Sequence, residues 1–188
     1  NALETEAIKP DAAHADVVRA IGSRAVSSSV LMRLGRLPGE AASVARAVAV
    51  LGEGADLGPV AGVSGLDEAQ VAGAMAALAR AEILRPEPPP GFVHPLVRDA
   101  VYHGLPLGER ELLHARAARV LRDTGAALDQ IAGQLMHTPR RGDADAARLL
   151  HEAGLAAVAR GAVDNAVSYL KRALEEPPPA EVRPRLLL

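Results

Sequence analysis

The sequence predicts a mainly α protein in which a short β-hairpin separates one group of helices from a later series of antiparallel helical hairpins. Three observations lead there. Apolar residues make up 49% of the 188 residues but aromatic ones only 2%, so the core must be built from Ala, Val and Leu, which suit close helix packing. Apolar side chains recur at helical spacing in successive segments, each closed by Gly or Pro. One run, RPEPPPG at 85–91, can continue neither a helix nor a strand.

Taken in order, residues 1–36 begin loosely and then carry Val17, Val18 and Ile21 at helical spacing. Ser27, Ser28 and Ser29 follow, three weak helix formers expected to interrupt it. Pro38 suits a first helical turn. After it, Val44, Ala47, Val48 and Leu51 form one apolar stripe that Gly52 and Gly54 close. A short helix is expected from about Leu57 to Val63. Asp67 with Gln70 three residues on is a capping-box pattern, and Val71, Ala74, Met75 and Leu78 give the third helix its stripe. ILR at 83–85 and FVH at 92–94 are β-prone, with the proline run between them. Three helices followed by such a hairpin is the order of a winged helix-turn-helix, with the hairpin as the wing.

Past Pro106 the pattern is helical throughout. Leu112, Leu113, Arg116, Ala117, Val120 and Leu121 form a stripe that ends at Gly125, and a second helix covers 127–136. Asp143 can cap a long helix through Arg160, with Leu149, Leu150, Ala153, Ala157 and Val158 inward. Gly161 breaks it, and a last helix runs to about Glu175. Helical hairpins of this kind start an α-solenoid.

Composition narrows the chemistry. Net charge is −2, which argues against a general nucleic-acid or anionic-membrane surface. There is no Cys, so thiolate chemistry and Cys-based zinc sites are out. No apolar run reaches the ~18–20 residues of a membrane span, and the N-terminus has no signal-peptide pattern. Neither of the two lysines, Lys9 and Lys171, sits in a phosphate-binding G-x-x-x-x-G-K-[ST] context, and no G-x-S-x-G is present. His94, His103 and His114 lack metal-ligand spacing, and His114, His137 and His151 read as helix-surface or boundary residues. The paired acids Glu109/Glu111 and Asp143/Asp145 stand at helix starts, where a carboxylate favours the dipole. The third helix begins with acids and has Arg80 as its one cation, and the wing tip carries Glu87, so no DNA contact is expected. No catalytic residue, metal or cofactor is assigned to this chain.

Two stretches resemble known families. FVHPLVRDAVYHGLPLGERELLHARAARVL, 92–121, resembles the segment that follows the nucleotide-binding domain in large LuxR-type regulators of actinobacteria. Those proteins have an N-terminal ATPase of the STAND class, a helical region and a C-terminal LuxR-type DNA-binding domain. The same segment is similar to the M-H-D-L-V-R-D motif in the winged-helix domain of plant resistance and apoptotic ATPases, with Val93 for Met and Pro95 for the first Asp. That resemblance implies a nucleotide-sensing role for His94 and Arg98, in which the histidine approaches the ADP β-phosphate and holds a closed, inactive state. GAVDNAVSYLKRALEEPPP, 161–179, resembles the second half of a tetratricopeptide repeat (TPR), with Gly161, Ala166, Tyr169, Ala173, Leu174 and Pro178 as its packing positions. The implied organisation is a tail and linking helix from the ATPase side at 1–36, a winged helix at 37–105, a helical connector at 106–140 and a truncated TPR-like start at 141–188.

The resemblance thus implies a cytoplasmic, non-catalytic module cut from a larger parent. It would couple ATP/ADP state in the parent's own ATPase domain to a helical arm that binds an inducer or partner protein. A helical adaptor with no ATPase, and a free-standing DNA-binding winged helix, stay open as alternatives.

Overall fold

The computed structural model describes residues 26–176 and is mainly α, with nine helices and no strand among the described residues. The chain divides into two compact units after Pro106.

In the first unit, helix α1 covers 26–34. It runs straight through Ser27–Ser29, which were expected to interrupt it. Val30 and Leu34 are buried on one face, and that packing outweighs the weak propensity of three serines. Helix α2, Gly39–Leu51, is the centre of the unit, burying Ala41, Val44, Ala45, Ala47, Val48, Ala49 and Val50. A helix so widely buried has neighbours on several sides. These are α3 (Leu57–Ser64), α4 (Glu68–Arg80) and α5 (Pro95–His103). Gly65, at φ +79°, closes α3 in the left-handed conformation that a side chain disfavours. The capping box at α4 is present as expected. The Gln70 amide donates to Asp67 Oδ1 at 2.8 Å, and the Asp67 amide donates to Gln70 Oε1 at 3.0 Å.

The segment between α4 and α5 departs from the expected two-stranded hairpin. It contains one antiparallel bridge, Leu84 with Phe92, flanked by bonds from the Arg85 amide to the Gly91 carbonyl and from the Val93 amide to the Ile83 carbonyl. The reason is local: Pro86, Pro88, Pro89 and Pro90 remove four amide donors, so a ladder cannot extend. What holds the segment is burial, since Ile83, Leu84 and Phe92 are all within the core. Glu82 enters it at φ +54°, and Arg33 of α1 donates to the neighbouring Ala81 carbonyl at 3.2 Å.

The second unit holds α6 (Leu107–Asp123), α7 (Leu128–Leu135), α8 (Ala144–Ala159) and α9 (Val163–Glu175), each packed on the next. The last two are antiparallel: Gly154 of α8 meets Leu170 of α9, eight residues either side of the Ala162 turn. Asp143 caps α8, accepting from the amides of Asp145 and Ala146. Two inward faces differ from those expected. On α6 the buried residues are His114, Ala117, Ala118 and Leu121, while Leu112 is 62% exposed. On α8 Val158 is exposed, though Leu149, Leu150, Ala153 and Ala157 are buried. Periodicity allows two neighbouring stripes on such Ala-rich helices. The small residues win because they let helices approach more closely.

Candidate functional site

His94 stands at the N-cap of α5. The Leu96 amide donates to its Nδ1 at 3.1 Å, and Pro95 takes the first helical position, where a missing amide costs nothing. An Nδ1 that accepts is unprotonated, so the neutral ring carries its proton on Nε2. The residue is exposed. Arg98 follows one turn later and Tyr102 one turn after that, so all three share a stripe of α5. The guanidinium of Arg98 lies over the Tyr102 ring, 5.5 Å from its centre, and 3.8 Å from Asp99. The stripe therefore presents an imidazole N–H beside an arginine, a pair able to meet an anion. Of the neighbouring residues, Phe92 and Val101 are buried in the core, whereas Leu96 is exposed.

A second feature of the first unit is a groove of about 510 Å³ between α4 and the proline run. Ala72, Met75, Ala76 and Ala79 form one wall, and Pro86, Pro88 and Pro90 the other. Its one cation, Arg85, folds across Gly91 and lies 3.6 Å from Glu53. A Cβ at Gly91 would meet the Arg85 guanidinium, so a side chain there would have to displace Arg85 from this position.

In the second unit the expected repeat-packing residues divide. Ala166, Tyr169 and Ala173 are buried, Gly161 makes the α8–α9 turn at φ +74°, Leu174 is largely exposed, and Pro178 lies outside the described residues. Burial pushes the Tyr169 hydroxyl above its usual value, assisted by Asp129 and opposed by Arg160. Sequence reasoning passed over Gly154. Its missing side chain makes room for Leu170, since a Cβ there would come within 2.7 Å of Leu170 Cδ2. A signal was available: Leu150, Ala153, Gly154 and Ala157, then Ala166 and Leu170, stand at the W-x-x-L-G-x-x-Y and A-x-x-x-F spacing of the repeat.

It also passed over a buried ion pair. Glu176 and Arg172 are both buried, with Arg172 Nη1 2.6 Å from Glu176 Oε1. The other carboxylate oxygen, Oε2, accepts from three successive amides, Arg141 at 3.1 Å, Gly142 at 2.5 Å and Asp143 at 3.0 Å. Arg172 also donates to the Thr138 carbonyl at 3.2 Å. Burial alone would raise the Glu176 carboxyl. The bonds from Arg172 and from the Asp143 and Gly142 amides outweigh it and hold the group below its ordinary value. This clamp ties the end of α9 to the turn before α8. His114, expected near the surface, is buried as well: its Nδ1–H donates to Gln134 Oε1 at 2.7 Å and its ring stacks on His137.

No group of His, Asp or Glu side chains among the described residues has the arrangement of a metal site, and no described helix is long and apolar enough to cross a membrane. Compared with known proteins, the chain matches no family model, no curated protein and no solved structure.

Proposed function

We propose that this chain is a non-catalytic regulatory module of a LuxR-type, STAND-class transcriptional regulator. It couples the nucleotide state of an ATPase domain elsewhere in the parent to a TPR-like arm that receives an inducer or partner protein. In this reading the first unit is a winged helix whose wing is reduced to the Leu84–Phe92 bridge. The observation that carries it is the groove beside α4. In a DNA-reading winged helix this face would need arginine, lysine or amide side chains. Here it is Ala, Met and Pro, with its one arginine beside Glu53. Such a face suits a protein surface and repels nothing apolar. The cap at His94 adds support, because it leaves Nε2–H as the outward donor toward a phosphate oxygen.

A second reading, a helical adaptor with no ATPase, is favoured by the same cap, which gives His94 a sufficient structural role. ADP retention by the full-length parent separates the two. His94→Asn keeps a capping oxygen and lacks the Nε2–H. The proposal expects ADP loss from this variant, and unchanged retention would leave the adaptor reading. Titration of the 188-residue chain with duplex DNA at low salt is expected to give no binding; a salt-dependent complex would overturn the regulatory reading of the groove.

A further inference from the structure

The α8–α9 hairpin has an inner and an outer face. On α8, Ala146 and Leu149 turn toward α7, where they line a cavity with Ile131 and Leu135. Leu155 and Val158 each stand nine residues further on. Nine residues at about 100° each is a half-turn, so these two point the opposite way. On α9, buried Tyr169 lies on the α7 side, close enough to feel Asp129. Val167 stands about 200° around the helix from it, in a stripe of Val163, Val167, Leu170 and Leu174. Leu170 is seated on Gly154, which joins the stripe to Leu155 and Val158 in one outer face. Apart from Leu170, every member of this face is between 41% and 65% exposed. The face is about 20 Å along the 13-residue α9 and two helices wide.

Charge and symmetry indicate what covers it. The charged side chains of the hairpin are largely paired within the chain: Arg148 with Asp145 and Glu152, Arg160 with Asp129, Glu175 with Arg140, and Arg172 with Glu176. Asp143 lies on the cavity side, and His151 stands at the margin of the outer face. That leaves one acid and one base, Asp164 and Lys171, which make no ion pair among the described residues. They stand two helical turns apart on the flank of the stripe away from α8. So balanced a face selects neither an acidic nor a basic partner. It does match itself. The stripe is spaced four, three and four residues, the seam of a paired helix, and reads the same in reverse. Turning α9 end for end exchanges Val163 with Leu174 and Val167 with Leu170, and sets Asp164 beside Lys171. The same turn exchanges Leu155 with Val158. The two centres lie at one level, since a hairpin that pairs Gly154 with Leu170 also pairs residue 156 with 168. Self-complementarity of this kind is what a two-fold interface requires. We infer that the outer face joins two copies of this chain, α9 antiparallel on α9 and α8 on α8, with each Asp164 against the partner's Lys171. A face of this area is at the small end of specific interfaces, so the dimer is expected to be weak, with a Kd of ~10–100 μM. The inference goes beyond the regulatory reading and does not depend on it.

The test is sedimentation velocity of the 188-residue chain from ~5 to ~500 μM, which is expected to show a monomer passing to a dimer. Val167→Asp, at an exposed position in the middle of the stripe, should weaken the dimer at least about tenfold. Asp164→Lys sets two lysines against each other at both ends of the interface, and Lys171→Asp sets two acids, so each variant alone should also associate more weakly. An equimolar mixture of these two variants should recover the dimer, because every contact then pairs opposite charges. Recovery is a gain, so a misfolded variant cannot mimic it. A monomer at every concentration, whether the face is bare or covered by residues 177–188, would overturn the inference. So would a dimer indifferent to Val167→Asp, or charge variants that do not recover on mixing. None of these outcomes bears on ADP retention or duplex DNA, which test the broader reading separately.

Discussion

Glu176 closes the second unit by offering one carboxylate oxygen to Arg172 and the other to the amides of Arg141, Gly142 and Asp143, more than thirty residues earlier in the chain. A buried charge with this many partners is costly to leave half-made. Removing it by Glu176→Ala strands Arg172 and three amides, and should cost ~3–5 kcal/mol in urea unfolding of the chain. Glu176→Gln keeps an acceptor for the amides and should cost less.

The same carboxyl makes stability depend on pH. Its folded pKa is lowered, so its contribution is complete above the unfolded carboxyl value, ~4.3, and is lost as pH falls through the folded value. Urea midpoints measured from pH 7 down to pH 3 should fall more steeply for the native chain than for Glu176→Gln. Parallel curves would mean that the carboxyl titrates alike in both states.

Gly154 and Leu170 make a coupled pair. Alanine at 154 gains helix propensity of ~1 kcal/mol, but its Cβ meets Leu170, and overpacking costs ~1–3 kcal/mol. Gly154→Ala should therefore destabilise the native chain and stabilise a Leu170→Ala background. A double-mutant cycle on thermal midpoints checks the change of sign, and additive effects would refute the contact.

Glu82 occupies left-handed backbone at φ +54°, a conformation costing ~1–2 kcal/mol for a residue with a Cβ. Its ion pair with Arg33, at 3.8 Å and largely exposed, offsets little of that. Glu82→Gly should raise stability by ~0.5–1 kcal/mol, read as a higher thermal midpoint.

The cap at α5 can be separated from any role of His94 elsewhere. His94→Ala should cost ~1 kcal/mol in stability and His94→Asn very little, because an asparagine oxygen can accept from the helix's first amides in place of the imidazole bond to Leu96. Equal losses in both variants would show that the imidazole is held by more than its cap.

Much of the helical layout is legible in the residues themselves. Asp67 with Gln70 and Asp143 announce helix starts, and Gly65, Gly125 and Gly161 announce ends, because each acts within a few residues of itself. The proline run likewise fixes where helix and strand must stop. His94 and Arg98 were singled out together only through the motif resemblance, with His94 read at the end of a β-prone stretch; that it caps a helix, with its Nδ1 occupied, was not legible. Tertiary packing decided what local rules left open. It chose Ala117 and Ala118 over Leu112 for the inner face of α6, kept Ser27–Ser29 helical, limited the segment between α4 and α5 to one bridge and gave Gly154 its partner. It also buried Glu176, which as a glutamate before three prolines carries every sign of an exposed residue. The physical reason is range: caps and breakers work through bonds to adjacent amides, whereas burial and ion pairing depend on residues that only the folded chain brings together.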